Sequence, residues 1–235
     1  MSIKISASQE EILSCFVQTK GFYLMGPIEY PSGRRGPFNI DTMMVLSEPK
    51  RAKVIGQVLA DYVKNLEVEL IIGIATAGIP LAALISQFSG LPFAYVRGEI
   101  SQRTGEILQG QYWNKKKAVL VDDVIGRGGT KDRVLKNLAN RFIIKDLVVM
   151  MEGGSGYQKL LEAWEKKTGI TTNYLVRWDE ATAAMMKAGA IPPAVGEMML
   201  DYLKNPDVWQ NNWLKWEKFT AWQKNNSYKL GEPIL

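Results

Sequence analysis

The sequence predicts an α/β fold with a mainly parallel central sheet flanked by helices, and three observations carry that expectation. Apolar runs recur at Val68–Ile74, Ala118–Val121 and Asp146–Met151, and strands apolar on both faces belong to parallel sheets covered on both sides. Helix-patterned stretches at Pro80–Phe88, Asp132–Arg141 and Tyr157–Lys167 separate the runs, as crossover connections require. Two runs end in glycine-bearing turns, Ala75–Gly78 and Asp122–Thr130, and an open parallel sheet holds its ligands at such carboxyl ends.

The remaining elements follow in chain order. Ser8-Gln-Glu-Glu11 has the spacing of a capping box, and Ile12, Phe16 and Val17 follow on one face, so a first helix begins there. Residues 26–41 are crowded with turn formers and predict a loop or short hairpin. Ser47-Glu-Pro49 reads as an N-cap with an early-turn proline, opening a helix that carries Val54, Val58, Leu59, Tyr62 and Val63. Phe93–Arg97 and Thr172–Trp178 read as strands, and Glu180–Lys187 as an Ala/Met-rich helix. The connection Gly98–Lys116 is long, weakly periodic and polar, carrying Glu99, Gln102, Arg103 and Glu106 between Gly98, Gly105 and Gly110; such loops usually act as lids. Near the end, Trp209, Trp213 and Trp216 are spaced for one helical face and predict a packing stripe for the core or a dimer contact.

Composition narrows the function. A chain of 235 residues, 46% hydrophobic and 23% charged, is long enough for one sizeable core with an appended subdomain. The net charge of +5 is spread along the chain; it suits small anionic substrates and is too dispersed to argue for nucleic acid. A lone Cys15 excludes an internal disulfide and fits a reducing compartment. No apolar run approaches the roughly 20 residues that span a bilayer, and polar and acidic residues interrupt the N-terminus, so a cytoplasmic protein without a membrane partner is expected. Histidine is absent. Catalysis must then rest on carboxylates, Lys or Arg, backbone amides and a hard, oxygen-bound ion.

The most specific stretch is Ala118-Val-Leu-Val-Asp122-Asp123-Val-Ile-Gly126-Arg127-Gly128-Gly129-Thr130. A buried strand here ends in twin carboxylates, and a glycine-rich turn leads into a helix. The acids can accept hydrogen bonds from vicinal hydroxyls, and the turn can wrap amides around a phosphate at a helix N-terminus. Together they describe a holder for a phosphorylated sugar.

Three further segments extend the reading. Ser32-Gly33-Arg34-Arg35-Gly36-Pro37-Phe38-Asn39-Ile40-Asp41, Gly73-Ile-Ala-Thr76-Ala77-Gly78-Ile79-Pro80 and Tyr95-Val96-Arg97 occur in this order, the last before the long loop. With the acidic motif, they resemble the type I phosphoribosyltransferases, and within them the orotate phosphoribosyltransferases, over roughly residues 20–190. The resemblance implies a core at residues 46–190, with a small N-terminal hood at 1–45 and a helical, Trp-rich C-terminal extension at 191–235. It implies that a nucleobase, orotate first, displaces pyrophosphate from 5-phosphoribosyl 1-diphosphate (PRPP), with Mg²⁺ on the leaving group.

Residue by residue, the resemblance sets Asp122 and Asp123 against the ribose hydroxyls and the metal. Gly126, Arg127, Gly128, Gly129 and Thr130 hold the 5-phosphate, Thr76, Ala77 and Arg97 hold the pyrophosphate, and Gly78, Val124 and Ile125 complete the PRPP site. Phe38, Asn39 and Gly126 face the base. Family members pair, so a homodimer is implied. The departures are also specific. Gly98 and Ser101 stand where the mobile loop carries lysines, and Arg103 or Thr104 stands near its histidine; Arg103 can supply positive charge to the pyrophosphate but cannot donate a proton. Pro31, Gly126 and Met151 replace a lysine, a threonine and an arginine at the base. Arg34, Arg35 and Lys53 are the candidates to compensate. Two alternatives stand beside the orotate enzyme: a PRPP-binding regulator or sensor, and a phosphoribosyltransferase for another nucleobase.

Overall fold

The computed structural model describes residues 8–30, 33–102, 105–138, 140–227, 229, 231 and 233–234. In chain order, α1 (Gln9–Val17) precedes a hairpin of β1 (Tyr23–Glu29) and β2 (Arg35–Ile40), then α2 (Met43–Leu46) and α3 (Pro49–Lys64). Next come β3 (Leu70–Ile74), α4 (Gly78–Ser89), β4 (Phe93–Val96), β5 (Leu108–Gly110) and β6 (Lys117–Ile125). They are followed by α5 (Gly129–Leu138), β7 (Ile143–Glu152), α6 (Gln158–Thr168), β8 (Thr171–Arg177) and α7 (Trp178–Lys187). The extension holds α8 (Pro193–Lys204), α9 (Pro206–Asn211) and α10 (Trp213–Asn225).

The main sheet has the order β5-β4-β3-β6-β7-β8, parallel except for β5. Because strand side chains alternate, each strand feeds two cores. Ile71, Val119, Val121, Val148 and Met150 meet Ile55, Leu59, Leu81, Ile85 and Met185 on one face. Leu70, Ile72, Leu120, Leu147 and Val149 meet Val134, Leu138, Leu161 and Trp164 on the other. The chain leaves β3 toward β4 and leaves β6 toward β7, so the order reverses between β3 and β6. That switch point is where an open α/β sheet leaves a crevice.

Several expectations shift in detail. Ser8 caps α1, accepting from the Glu11 N–H at 3.1 Å, as its spacing predicts. The cap of α3 is Glu48 rather than Ser47, its carboxylate accepting from Lys50 and Arg51 N–H at 3.1 and 2.9 Å. The loop after β4 contains a strand: β5 pairs antiparallel with β4, Val96 opposite Leu108. Asn212 breaks the tryptophan stripe. It caps α10, accepting from the Lys215 N–H at 3.2 Å, and leaves Trp213 72% exposed while Trp209 is buried. Among the described residues no helix is long and apolar enough to cross a membrane.

Candidate active site

The β6 strand carries four buried apolar residues, Ala118–Val121, out to the switch point and there presents its two acids. They do different things. Asp122 is buried, and its carboxylate meets the equally buried Lys131 ammonium at 2.7 Å. Lys131 Nζ also donates to the Val124 carbonyl at 2.5 Å, and Asp122 accepts from the Asp123 N–H at 3.0 Å. Burial pushes the Asp122 carboxyl up to about 6, against the pull of the Lys131 ammonium. Asp123 faces the cleft instead, accepting from the Thr42 hydroxyl at 2.7 Å and from the Val124 N–H at 2.8 Å.

Helix α4 approaches closely here. A Cβ on Gly78 would lie 2.4 Å from the Val121 carbonyl oxygen and 3.2 Å from Asp122 Cα, so only glycine lets the helix start against the end of β6. Thr76 and Ala77 form the turn before it, with Thr76 exposed and joined to Ala75 by a cis peptide.

A cleft of about 670 Å³ runs from the glycine turn to the hairpin. Val124, Gly126, Arg127, Gly128, Gly129 and Thr130 line one end, with Lys131. Helix α5 starts at Gly129, earlier than the sequence pattern predicts, so Thr130 and Lys131 fall in its first turn, where free amides and the helix dipole favour anions. Gly128 holds the turn at φ +77°, and a Cβ there would lie 2.4 Å from the Trp164 indole. Ile125 does not face the cleft: its side chain is fully buried, and its carbonyl accepts from the Gly153 N–H at 2.9 Å.

The other end is aromatic. Tyr30, Asn39, Tyr157, Trp178 and Tyr202 line it together with Arg34. Phe38 lies behind this wall, 1% exposed, its ring packed edge-on against Tyr23, Trp178 and Tyr202; a strand places alternate residues on opposite faces, so Asn39 points to the cleft and Phe38 to the core. The Tyr30 hydroxyl donates to the Phe38 carbonyl at 2.5 Å, and the Tyr157 and Tyr202 hydroxyls are 3.4 Å apart. Burial holds all three phenols well above their ordinary range. Arg35 and Lys53 are not among the lining residues.

A second cleft of about 860 Å³ opens at the ends of β3 and β4, lined by Ala75, Ile79, Tyr95, Arg97, Glu99 and Gln109 among others. Arg97 therefore stands beside the Ala75–Gly78 turn. The Arg97 N–H donates to the Ile107 carbonyl at 2.9 Å, and the Ser101 N–H to the Glu106 carbonyl at 3.0 Å, which folds the loop into a long hairpin. Arg103 and Thr104, like Pro31 and Ser32, lie outside the described residues. Among the described residues no three His, Cys, Asp or Glu side chains group to hold a metal.

Sequence reasoning missed Lys131, Tyr30, Tyr157, Trp178 and Tyr202. Lys131 adjoins the glycine turn and was open to notice; Tyr202 comes from α8, in a segment that gave no motif.

A parallel sheet with a glycine cradle and a cleft-facing acid at its switch point is the framework of a type I phosphoribosyltransferase. The model of the phosphoribosyl transferase domain matches residues 41–171, and the chain belongs to that family. It is 27% identical over 208 residues to the orotate phosphoribosyltransferase of Listeria innocua, covering 86% of this chain and 98% of that protein. It is 33% identical over 125 residues to that of Streptococcus pyogenes, covering 51% and 60%. Among solved structures it resembles the UMP synthase of Leishmania donovani, with a TM-score of 0.72 and 21% identity over 84% of this chain, though it spans only 42% of that one. The orotate phosphoribosyltransferase of Aeropyrum pernix gives a TM-score of 0.59 at 24% identity, covering 75% and 99%.

Proposed function

We propose that the chain transfers the 5-phosphoribosyl group of PRPP to orotate, giving orotidine 5′-phosphate and pyrophosphate. One observation carries the reading: the 670 Å³ cleft joins a glycine phosphate cradle, through Asp123, to an aromatic end that also holds arginine. The orotate phosphoribosyltransferase of Listeria innocua, matched over 98% of its length, supports the same acceptor.

The 5-phosphate binds the amides of Gly126–Thr130, at the N-terminus of α5. The orotate ring lies among Tyr30, Tyr157, Trp178 and Tyr202. Its ring nitrogen forms the new bond to the anomeric carbon as the bond from that carbon to the diphosphate oxygen breaks; the electron pair leaves with pyrophosphate and the ring N–H proton passes to solvent. Asp123, the acid that faces the cleft, balances the positive charge that develops on the sugar, and Arg97 meets the departing diphosphate. Asp122 acts through Lys131, fixing the end of β6 and the first turn of α5.

The residues fit a substrate-borne Mg²⁺. Asp123 keeps acceptor capacity beside its two hydrogen bonds, whereas Asp122 is taken up by Lys131. Magnesium needs only one or two carboxylates when phosphates supply the rest; bound there, it would neutralise the leaving group. We infer further that the protein is a cytoplasmic homodimer in which the loop bearing Ile100, 65% exposed, covers the partner's site.

Pyrophosphate release, measured with Mg²⁺, PRPP and a panel of bases, tests the reading. Release with orotate well above that with uracil, adenine or hypoxanthine is expected. Release with a purine and none with orotate would contradict it.

A further inference from the structure

The C-terminal extension, beyond the matched residues 41–171, supplies Tyr202 to the cleft and touches its arginines through α9. Asp207, in the first turn of α9, pairs with Arg34 of the hairpin and with Arg127 of the glycine cradle, both through the same oxygen, Oδ1. Both arginines line the cleft. Gln210, one turn on, fastens the hairpin by accepting from the Arg35 N–H at 3.0 Å and donating to the Arg35 carbonyl at 2.6 Å.

We propose that Arg34 and Arg127 form the receptor for the carboxylate of the acceptor base, and that Asp207 is an internal carboxylate filling that receptor until the base displaces it. The inference rests on the orotate reading and adds to it the residues that choose the acceptor.

Four features support the assignment. Two guanidiniums converging on one carboxylate oxygen leave the paired, fork-to-fork contact that arginine favours unmade. The Arg127 Nε–H, though buried, has no partner among the described residues. The Asp207 side chain is 64% exposed, so its release into water costs little, as for other surface ion pairs. Finally, the receptor lies at the acceptor end: the Arg127 guanidinium sits 5.7 Å over the Tyr157 ring, and Arg34 is carried by the hairpin that supplies Tyr30 and Asn39. The backbone of Arg127 belongs to the phosphate cradle; its side chain turns to the base.

The test compares orotate with uracil, the same ring without the carboxylate, in the wild type and in Arg34→Gln, Arg127→Gln and Asp207→Asn. Each arginine variant is expected to raise the KM for orotate about tenfold or more, the loss of one charge-assisted contact, with a much smaller change in the KM for PRPP. The preference for orotate over uracil falls in proportion, and Asp207→Asn lowers the orotate KM. An unchanged preference in both arginine variants overturns the receptor. So does a rise confined to the KM for PRPP, which would give the arginines to the sugar phosphate. A higher orotate KM in Asp207→Asn overturns the displacement, since the carboxylate would then be a brace. If the wild type releases no pyrophosphate with orotate, the proposed function fails as well; if it does and the preference survives both arginine variants, only this inference fails.

Discussion

Asp122 and Asp123 are neighbours in sequence with opposite surroundings. A strand turns successive side chains to opposite faces, so Asp123 meets the cleft while Asp122 enters the space between α4 and α5 and finds Lys131. Asp123→Asn is accordingly expected to reduce turnover by about 100-fold or more, the scale of losing one transition-state electrostatic contact, with an unchanged melting temperature. Loss of stability without loss of turnover would reverse the roles given to the two acids. Lys131→Met leaves a buried carboxylate unpaired and is expected to cost on the order of 3 kcal/mol in denaturant unfolding. The pH dependence follows from the raised Asp122 carboxyl. Its folded-state value of about 6 exceeds its ordinary value of 3.8, so its contribution to stability is fully present below the ordinary value and is lost as pH rises through about 6. The wild type should therefore lose melting temperature relative to Asp122→Asn between pH 4 and pH 7; parallel curves would refute the shift.

The elements show what made the sequence legible. The strands β3, β6 and β7 and the helices α3 to α6 were readable because burial on a sheet imposes apolar runs, and packing on it imposes a 3.6-residue stripe. The glycine cradle was readable because its conformation excludes other residues. Gly128→Ala forces a Cβ into a left-handed turn and 2.4 Å from the Trp164 ring; it is expected to lower stability by about 1–3 kcal/mol and to raise the KM for PRPP. A variant with wild-type melting and kinetics would show that the turn relaxes freely. Other features depended on contacts distant in sequence. The three-residue β5 exists because β4 offers it an open edge. Helix α8 carries no motif, yet its Tyr202 lines the aromatic end of the cleft. Phe38 and Asn39 were both assigned to the base, and only the register of β2 separates the core residue from the cleft residue.

At the scale of the whole molecule, hood, sheet and extension share one core. Phe16, Phe22, Tyr23, Phe38, Tyr202, Trp209, Trp216 and Phe219 form an unbroken series of edge-to-face contacts from α1 to α10, with centroid separations from 4.9 to 6.3 Å. The chain then returns to the hairpin, the Ile234 N–H donating to the Tyr23 carbonyl at 2.9 Å. The extension thus shapes the cleft as well as covering it. Removing Trp209, which joins Tyr202 to Trp216 in this series, by Trp209→Ala is expected to cost about 3–5 kcal/mol. It should also weaken orotate binding through Tyr202. A variant with a normal KM for orotate would uncouple the extension from the site.

The most direct measurement is a crystal structure of the protein with PRPP and a non-reacting orotate analogue. The 5-phosphate should lie in the amides of Gly126–Thr130, with Asp123 facing the ribose and the base among Tyr30, Tyr157, Trp178 and Tyr202. A phosphate bound elsewhere, with the glycine turn closed and the aromatic end empty, would contradict the account.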